Sequence, residues 1–165
     1  MDDFKGKVAI VTGSTSGIGE AVARVLVEAG ARVMFNSSSS VEAGVAIAAE
    51  FGDVARYHQA DVSSEEECIS LVDATLEAFG GLDILVNNAG HTQVIPHHDL
   101  DAVSEEIFRR IFDVNVFGTW YLSRAAVPAL KASGNGNIIN ITSIAGLVAA
   151  GSSIPYAVSK AGINH

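Results

Sequence analysis

Three side chains near the carboxyl end of the chain have the types and the spacing that proton transfer requires. Tyr156 and Lys160 are four residues apart, so on a helix they share one face, and Ser143 precedes Tyr156 by thirteen residues. The phenol of a free tyrosine has a pKa of about 10, and a nearby ammonium lowers the pKa of a phenol. Such a phenol can take a proton from an alcohol or give one to a carbonyl oxygen, and a serine hydroxyl can hold that oxygen in place.

A second interpretation of these residues needs no chemistry. Tyr156 and Lys160 can form a surface pair one helical turn apart, and Ser143 can cap the end of a strand. Taken alone, the three residues favour this interpretation, so the chemistry depends on what the rest of the sequence places beside them.

A glycine-rich turn follows the first apolar run, and it reads TGSTSGIG over residues 12–19. Its glycines leave no Cβ atoms where the backbone bends, and they let a pyrophosphate approach the N–H groups at the positive end of the next helix. An ordinary strand-to-helix turn is the alternative. A strand before the turn and a helix after it are the context that a nucleotide site needs, and the sequence predicts both.

This G-x-x-x-G-x-G turn, with a threonine before it, resembles the short-chain dehydrogenase/reductase family in its compact single-domain subgroup. Further stretches in the family's order extend the resemblance over essentially the whole chain: Asp61-Val62, NNAG at 87–90, Asn115 within DVNV, Ser143, and YAVSK at 156–160. Each stretch is weak evidence alone, but the ordered set is specific.

The resemblance implies a catalytic group made of Asn115, Ser143, Tyr156 and Lys160. In this group Lys160 also binds the nicotinamide ribose, and Asn115 helps to hold a water that relays protons past Lys160. The residues predicted to bind the cofactor are Gly13, Ser14, Gly17, Ile18, Gly19, Ser37, Ser38, Asp61, Val62, Asn88, Ala89, Gly90, Tyr156 and Lys160. We expect Asp61 to contact the adenine through its side chain and Val62 through its backbone N–H; the alternative for Asp61 is a helix N-cap.

The end of the second predicted strand bears on the choice of nicotinamide cofactor. An acidic residue at this point accepts from the ribose 2′-OH of NAD and repels the 2′-phosphate of NADP. Residues 36–40 read NSSSS, so no carboxylate is present, and the hydroxyls of Ser37 and Ser38 can donate to a phosphate. The basic residue that NADP-using relatives often carry is absent here and at Ser16. The sequence therefore predicts NADP as the preferred cofactor and NAD as the alternative; a solvated serine loop without a role in selection is a further interpretation.

Short β-branched runs alternate with longer helical periods along the chain. Strands are predicted at 7–12, 31–36, 54–60, 82–86 and 137–142, and helices at 18–29, 41–51, 65–79, 105–131 in two segments, and from about 155 onward. Ser63 or Ser64 is the expected N-cap of the third helix. Strands that are apolar on both faces and alternate with helices predict a doubly wound parallel α/β sheet of the Rossmann type. The family resemblance implies that residues 1–165 form one NAD(P)-binding domain.

Composition narrows the possible partners. Ten basic and 19 acidic residues give a net charge of −9, which argues against nucleic acids and anionic membranes as partners. No apolar stretch reaches the roughly 18 residues that a membrane span needs, and the N-terminus is polar, so we expect a soluble cytoplasmic protein. With one cysteine and no helical i,i+4 histidine pair, the sequence predicts no metal site.

Relatives in the family continue past the Y-x-x-x-K helix into two further strands and a substrate-covering loop, whereas this sequence stops at His165. We therefore expect an incomplete sheet with 137–142 as an exposed edge. The leading function is NAD(P)-dependent interconversion of a secondary alcohol and a ketone. The alternatives are imine or enone reduction, or a fragment that binds the cofactor without activity. Because the long and last helices commonly pack between subunits in relatives, we expect a homo-oligomer, dimer or tetramer.

Overall fold

Parallel strands form the centre of the molecule. A computed structural model describes residues 3–148 and 151–165 of the chain. The strands are β1 (Val8–Val11), β2 (Arg32–Ser37), β3 (Ala55–Gln59), β4 (Ile84–Asn87) and β5 (Asn137–Asn140), in the spatial order β3-β2-β1-β4-β5. The strand order reverses direction between β1 and β4, so a crevice opens above the carboxyl ends of these two strands, where ligands bind in open α/β sheets.

Within the described ranges, six α-helices connect and follow the strands: α1 (Gly17–Glu28), α2 (Val41–Ala49), α3 (Glu65–Phe79), α4 (Glu105–Phe112), α5 (Gly118–Ala132) and α6 (Ile154–Asn164). The predicted alternation of strands and helices is confirmed. The expected long helix over 105–131 is divided by a π-helical turn at Asp113–Phe117, which produces the break between its two segments. Among the helices of the described ranges, none is long and apolar enough to cross a membrane.

The central strands β1, β2 and β4 are buried on both faces, as their apolar residues require. Along β1, Val8 and Ile10 lie in the hydrophobic cluster that α3 and α5 cover, whereas Ala9 and Val11 lie in the cluster that α1 and α2 cover. Leu71 of α3 and other side chains at the centre of these clusters are fully buried, and each such side chain contributes roughly 1.5–3 kcal/mol. This two-sided burial confirms the doubly wound α/β class.

The N-termini of the helices differ in how they are capped. Ser64 Oγ accepts from Glu67 N at 3.3 Å at the start of α3, and Ser104 Oγ accepts from Ile107 N at 3.2 Å at the start of α4. Ser16 precedes α1 and makes no such bond with its side chain. The first-turn N–H groups of α1 therefore lack a side-chain cap at the carboxyl edge of the sheet.

The outer edge of the sheet is formed by β5. Within the described residues β5 pairs with β4, and all four of its residues are exposed, which agrees with the expected edge. Ser143 follows shortly after the carboxyl end of β5. The predicted serine and the glycine-rich turn therefore both lie at the carboxyl ends of the parallel strands.

Candidate active site and cofactor cleft

A cleft of about 440 Å³ opens above the carboxyl ends of β1, β2, β3 and β4. It is lined by the glycine-rich turn, the serine loop after β2, the segments after β3 and β4, and Arg110 and Val114 from the long helical region. Of the predicted cofactor residues, the lining includes Gly13, Ile18, Ser37, Ser38, Asp61, Val62, Asn88, Ala89 and Gly90. The structure therefore brings together stretches that are far apart in the chain, and the contact between Thr12 and Ala89 alone spans 77 residues.

The glycine-rich turn is locked to the segment that follows β4. Thr12 Oγ1 accepts from the backbone N–H groups of Asn88 and Ala89, each at 3.0 Å. Asn88 Nδ2 donates to the carbonyl oxygens of Thr12 and Gly13 at 2.8 and 3.2 Å. A Cβ on Gly13, which has a φ of +60°, would lie 3.1 Å from Ala89 Cα, and a Cβ on Gly19 would collide with Asn88 Nδ2. Only glycine permits this close approach.

Ser14 lies beneath the glycine-rich turn. Its side chain is fully buried, its N–H donates to Asn36 O at 2.9 Å, and its Oγ accepts from Asn36 N at 2.9 Å. Both polar groups are thus paired with β2, so Ser14 supports the turn and is outside the cleft lining. Its contact with a cofactor stays a prediction.

The serine loop is held by side chains of β3. Ser37 is 7% exposed, and its Oγ lies 2.9 Å from Tyr57 Oη. Gln59 Nε2 donates to Ser38 O at 2.9 Å. No carboxylate occurs between Ser37 and Ser40, so this part of the cleft presents hydroxyl and backbone groups only.

Asp61 lies where the segment after β3 enters the cleft. Its Oδ1 accepts from Ser63 N at 2.9 Å and from Ser63 Oγ at 2.7 Å, and Arg110 Nη2 donates to its Oδ2 at 3.2 Å. The alternative role as helix N-cap is wrong, because Ser64 caps α3. Burial raises the pKa of the Asp61 carboxyl, but the bonds from Ser63 and Arg110 outweigh burial, so this pKa lies below its ordinary value.

Tyr156 and Lys160 share one face of α6. Lys160 Nζ lies 5.8 Å from the centre of the Tyr156 ring and donates to Ile141 O at 2.8 Å. Lys160 is 4% exposed, and its burial lowers the pKa of the ammonium. A buried lysine held by a carbonyl at a strand end is unlike the solvated surface pair of the alternative interpretation.

The side chain of Asn115 forms hydrogen bonds with the segment after β4 and with α6. From the π-helical turn its Oδ1 accepts from His91 N at 2.8 Å, and its Nδ2 donates to His91 O at 3.0 Å and to Ser159 Oγ at 2.9 Å. A Cβ on Gly90 would lie 3.5 Å from Asn115 Oδ1 and 3.7 Å from Lys160 Nζ. The end of the cleft at Gly90 thus meets α6 beside the lysine, although Ser143, Tyr156 and Lys160 are outside the cleft lining itself.

Ser143 lies at the start of a 3₁₀ turn, Ile144–Gly146, that packs against α6. Its Oγ accepts from Ala145 N at 3.1 Å, so the strand-end cap that formed the alternative interpretation is present. The cap leaves the hydroxyl hydrogen free to donate to a substrate oxygen. A Cβ on Gly146 would lie 2.7 Å from the carbonyl carbon of Lys160, so the turn holds Ser143 close to the tyrosine helix.

Several residues that support the site were not predicted from the sequence. Asn36 is a buried amide within a strand whose Nδ2 donates to His58 O and Ala60 O at 3.2 and 3.1 Å. A polar residue inside an apolar strand was the available signal for it. For Arg110 and Ser159 no signal was available, because their partners are distant in sequence. Cys68 is buried, and burial raises the pKa of its thiol to about 12.

Comparison with known proteins identifies the family of this chain. Residues 7–165 match the family model described as "short chain dehydrogenase". The chain is 54% identical over 161 residues to the "Granaticin polyketide synthase putative ketoacyl reductase 2" of Streptomyces violaceoruber, covering 98% of this chain and 64% of that protein.

Two further relatives are named as hydroxysteroid dehydrogenases. The 3-alpha-(or 20-beta)-hydroxysteroid dehydrogenase of Mycobacterium tuberculosis (strain ATCC 25618 / H37Rv) is 41% identical over 94% of this chain and 58% of its own length. The 7alpha-hydroxysteroid dehydrogenase of Clostridium sardiniense is 40% identical over 99% of this chain and 63% of its own length. The chain thus spans less than two thirds of these relatives, and it belongs to the short-chain dehydrogenase family.

Proposed function

We propose that the protein is an NAD(P)-dependent oxidoreductase that interconverts a secondary alcohol and a ketone, with residues 1–165 acting as one cofactor-binding domain. The observation that carries the proposal is the pairing of buried Lys160 with Tyr156 at the edge of the sheet where the glycine-lined cleft ends. The names of the relatives support it, since ketoacyl reductases and hydroxysteroid dehydrogenases both act at a carbon that carries one oxygen. They favour this activity over a chain that binds the cofactor without catalysis.

The cleft fits a nicotinamide dinucleotide. The uncapped first turn of α1 presents N–H groups and the positive end of the helix dipole to the cleft, which suits a pyrophosphate. Gly13 has no Cβ; a Cβ at this position would crowd Ala89 in this part of the cleft. When bound, the cofactor supplies or accepts a hydride.

The residues of the chain supply the proton and the orientation. The Ser143 hydroxyl donates to the substrate oxygen and fixes its position. In the direction of reduction, the Tyr156 hydroxyl gives its proton to that oxygen; in oxidation the phenolate takes the proton back. The Lys160 ammonium beside the ring stabilises the phenolate, and its distance to Gly90 lets it reach a ribose hydroxyl at the end of the cleft.

Asn115 fixes the parts of this site relative to one another. Its side chain ties α6 to the segment after β4, and we propose that it also helps to hold a water that passes protons on from Lys160. This places Asn115 as a positioning residue for the lysine.

We propose NADP as the preferred cofactor. The support is the hydroxyl-lined pocket at Ser37 and Ser38, which contains no carboxylate to repel a 2′-phosphate. The loop is fixed by Tyr57 and Gln59, so its donors are oriented before the cofactor binds.

We also propose a homo-oligomer, either a dimer or a tetramer. Trp120 on α5 is 59% exposed, and Phe117 beside it is 45% exposed and stacks on Tyr121. Large aromatic side chains that are exposed together mark surfaces for protein association.

Cofactor choice is tested by calorimetric titration of NADPH and NADH separately. We expect NADPH to bind more tightly, and Ser37→Asp to reverse the order by about tenfold or more, because the new carboxylate accepts from a 2′-OH and repels a phosphate. Asn135→Asp adds the same charge at an exposed loop before β5 and should leave the order unchanged. Tighter NADH binding by the unaltered chain would contradict the proposal.

The acid/base role is tested with Tyr156→Phe. We expect turnover of a 3-oxoacyl thioester or a steroid ketone to fall by about 10²–10⁴-fold, while the Kd for NADPH stays within about threefold. Tyr121→Phe on α5 is the control, and it should keep its turnover. A fall of less than about tenfold, equivalent to about 1.4 kcal/mol of barrier, would remove Tyr156 from proton transfer.

Association is tested by size-exclusion chromatography with light scattering. The 17.1 kDa chain should elute as a dimer or tetramer, and Trp120→Glu should shift it toward the monomer because a carboxylate would be buried in the interface. Val25→Glu, on an exposed position of α1, should not. A monomer for the unaltered chain at micromolar concentration would refute this proposal.

A further inference from the structure

An ion pair lines the cleft beside the serine loop. Asp61 comes from the segment after β3 and Arg110 from α4, 49 residues later, and both line the cleft. Ala60, which precedes Asp61, donates from its N–H to Ser37 O at 3.1 Å, so the pair lies near the serine loop, where the adenosine half of a dinucleotide belongs under the proposed function.

Arg110, Asp61 and Ser63 form a closed triangle of hydrogen bonds. Arg110 Nη2 donates to Asp61 Oδ2 at 3.2 Å, and Arg110 Nη1 donates to Ser63 Oγ at 3.0 Å. Ser63 Oγ in turn donates to Asp61 Oδ1 at 2.7 Å, and Ser63 N donates to the same oxygen at 2.9 Å. A carboxylate has about four acceptor positions, so Oδ1 is filled and Oδ2 keeps one position for a ligand.

The positive charge of Arg110 compensates the negative charges around Asp61. Glu67 Oε2 accepts from Asp61 N at 2.7 Å, so a second carboxylate lies beside Asp61. Among the described residues that line the cleft, Arg110 carries the one side chain that is positively charged at every physiological pH. Arg110 therefore favours the ionised form of Asp61, which can only accept hydrogen bonds.

The pair contributes little to the fold itself. The Asp61 and Arg110 side chains are 31% and 48% exposed, and partly solvated ion pairs of this kind add little stability. The neighbouring Arg109 pairs with Glu105 on the same helix and lies outside the cleft. Orientation of the Asp61 carboxylate, and not stability, is thus the main consequence of the Arg110 contact.

We infer that Arg110 is a positioning residue that makes the cleft select adenine over a 6-oxopurine. This inference rests on the proposed function. Adenine offers a 6-amino donor beside an N1 acceptor, whereas hypoxanthine offers a 6-oxo acceptor beside an N1–H donor. An oriented, ionised Asp61 accepts from the amino group, and the backbone N–H of Val62 donates to N1. Hypoxanthine would place its 6-oxo group against the carboxylate and leave both partners unsatisfied.

Without Arg110 the carboxylate loses one donor and its compensating charge. The Asp61 carboxylate stays ionised but turns more freely, because the remaining bonds from Ser63 hold Oδ1 alone and Oδ2 is no longer fixed toward the 6-amino position. The two bases would consequently bind with more similar affinities.

The experiment compares NADPH with its hypoxanthine analogue by calorimetry on the full chain. We expect the unaltered chain to bind NADPH roughly tenfold or more tightly than the analogue. Arg110→Met should reduce that preference to less than about threefold, and Arg110→Lys, which restores the charge, should recover part of it. Arg109→Met is the matched control and should keep the full preference.

The outcomes separate the possible failures. If the unaltered chain binds neither nucleotide, the proposed function is wrong and this inference falls with it. If NADPH binds but Arg110→Met weakens both nucleotides equally, Arg110 has a general electrostatic or structural role and the inference alone is overturned. Equal thermal midpoints of the Met and Lys variants would show that the comparison reports binding and not folding.

Discussion

The hydroxyl of Thr12 holds together the two strands between which the cleft opens. It donates to Val86 O at 3.4 Å and accepts from the N–H groups of Asn88 and Ala89, so the ends of β1 and β4 are joined at one buried oxygen. The glycine-rich turn can then run beneath Asn88 only because Gly13 and Gly19 have no side chains. These hydrogen bonds fix the position of the glycine-rich turn relative to the segment after β4, and both of these stretches line the cleft.

Buried amides extend the same principle to the other strands. Asn36 connects the glycine-rich turn to the ends of β2 and β3, Asn87 donates to Asn140 Oδ1 on β5 at 2.9 Å, and Asn115 connects the segment after β4 to α6. Each is a polar group that would be costly to bury alone, and each is paired on several sides. The carboxyl ends of the strands are therefore joined by a network of polar side chains. Lys160 lies beside this network and carries the one buried ammonium among the described residues.

Local patterns in the sequence predicted the sheet, the helices and the stretches that meet at the cleft. Periodicity sufficed for the strands because both faces of the sheet are apolar, and the spacing of Tyr156 and Lys160 sufficed for their common helix face. Pairings such as Arg110 with Asp61 were beyond prediction, because they depend on the distance between elements and not on spacing along the chain. The same limit applies to Ser14, because its burial depends on tertiary hydrogen bonds with Asn36.

Under the proposed function, one dinucleotide spans the cleft from Asp61 to the lysine on α6. Titration of NADPH into the isotopically labelled chain, followed by amide NMR shifts, tests this arrangement. We expect the amides of Gly13, Ile18, Val62 and Gly90 to shift together with a single Kd, while those of Gly80 and Gly81 at the opposite edge stay unchanged. Shifts confined to the opposite edge, or no shifts at millimolar NADPH, would show that no dinucleotide binds in the cleft.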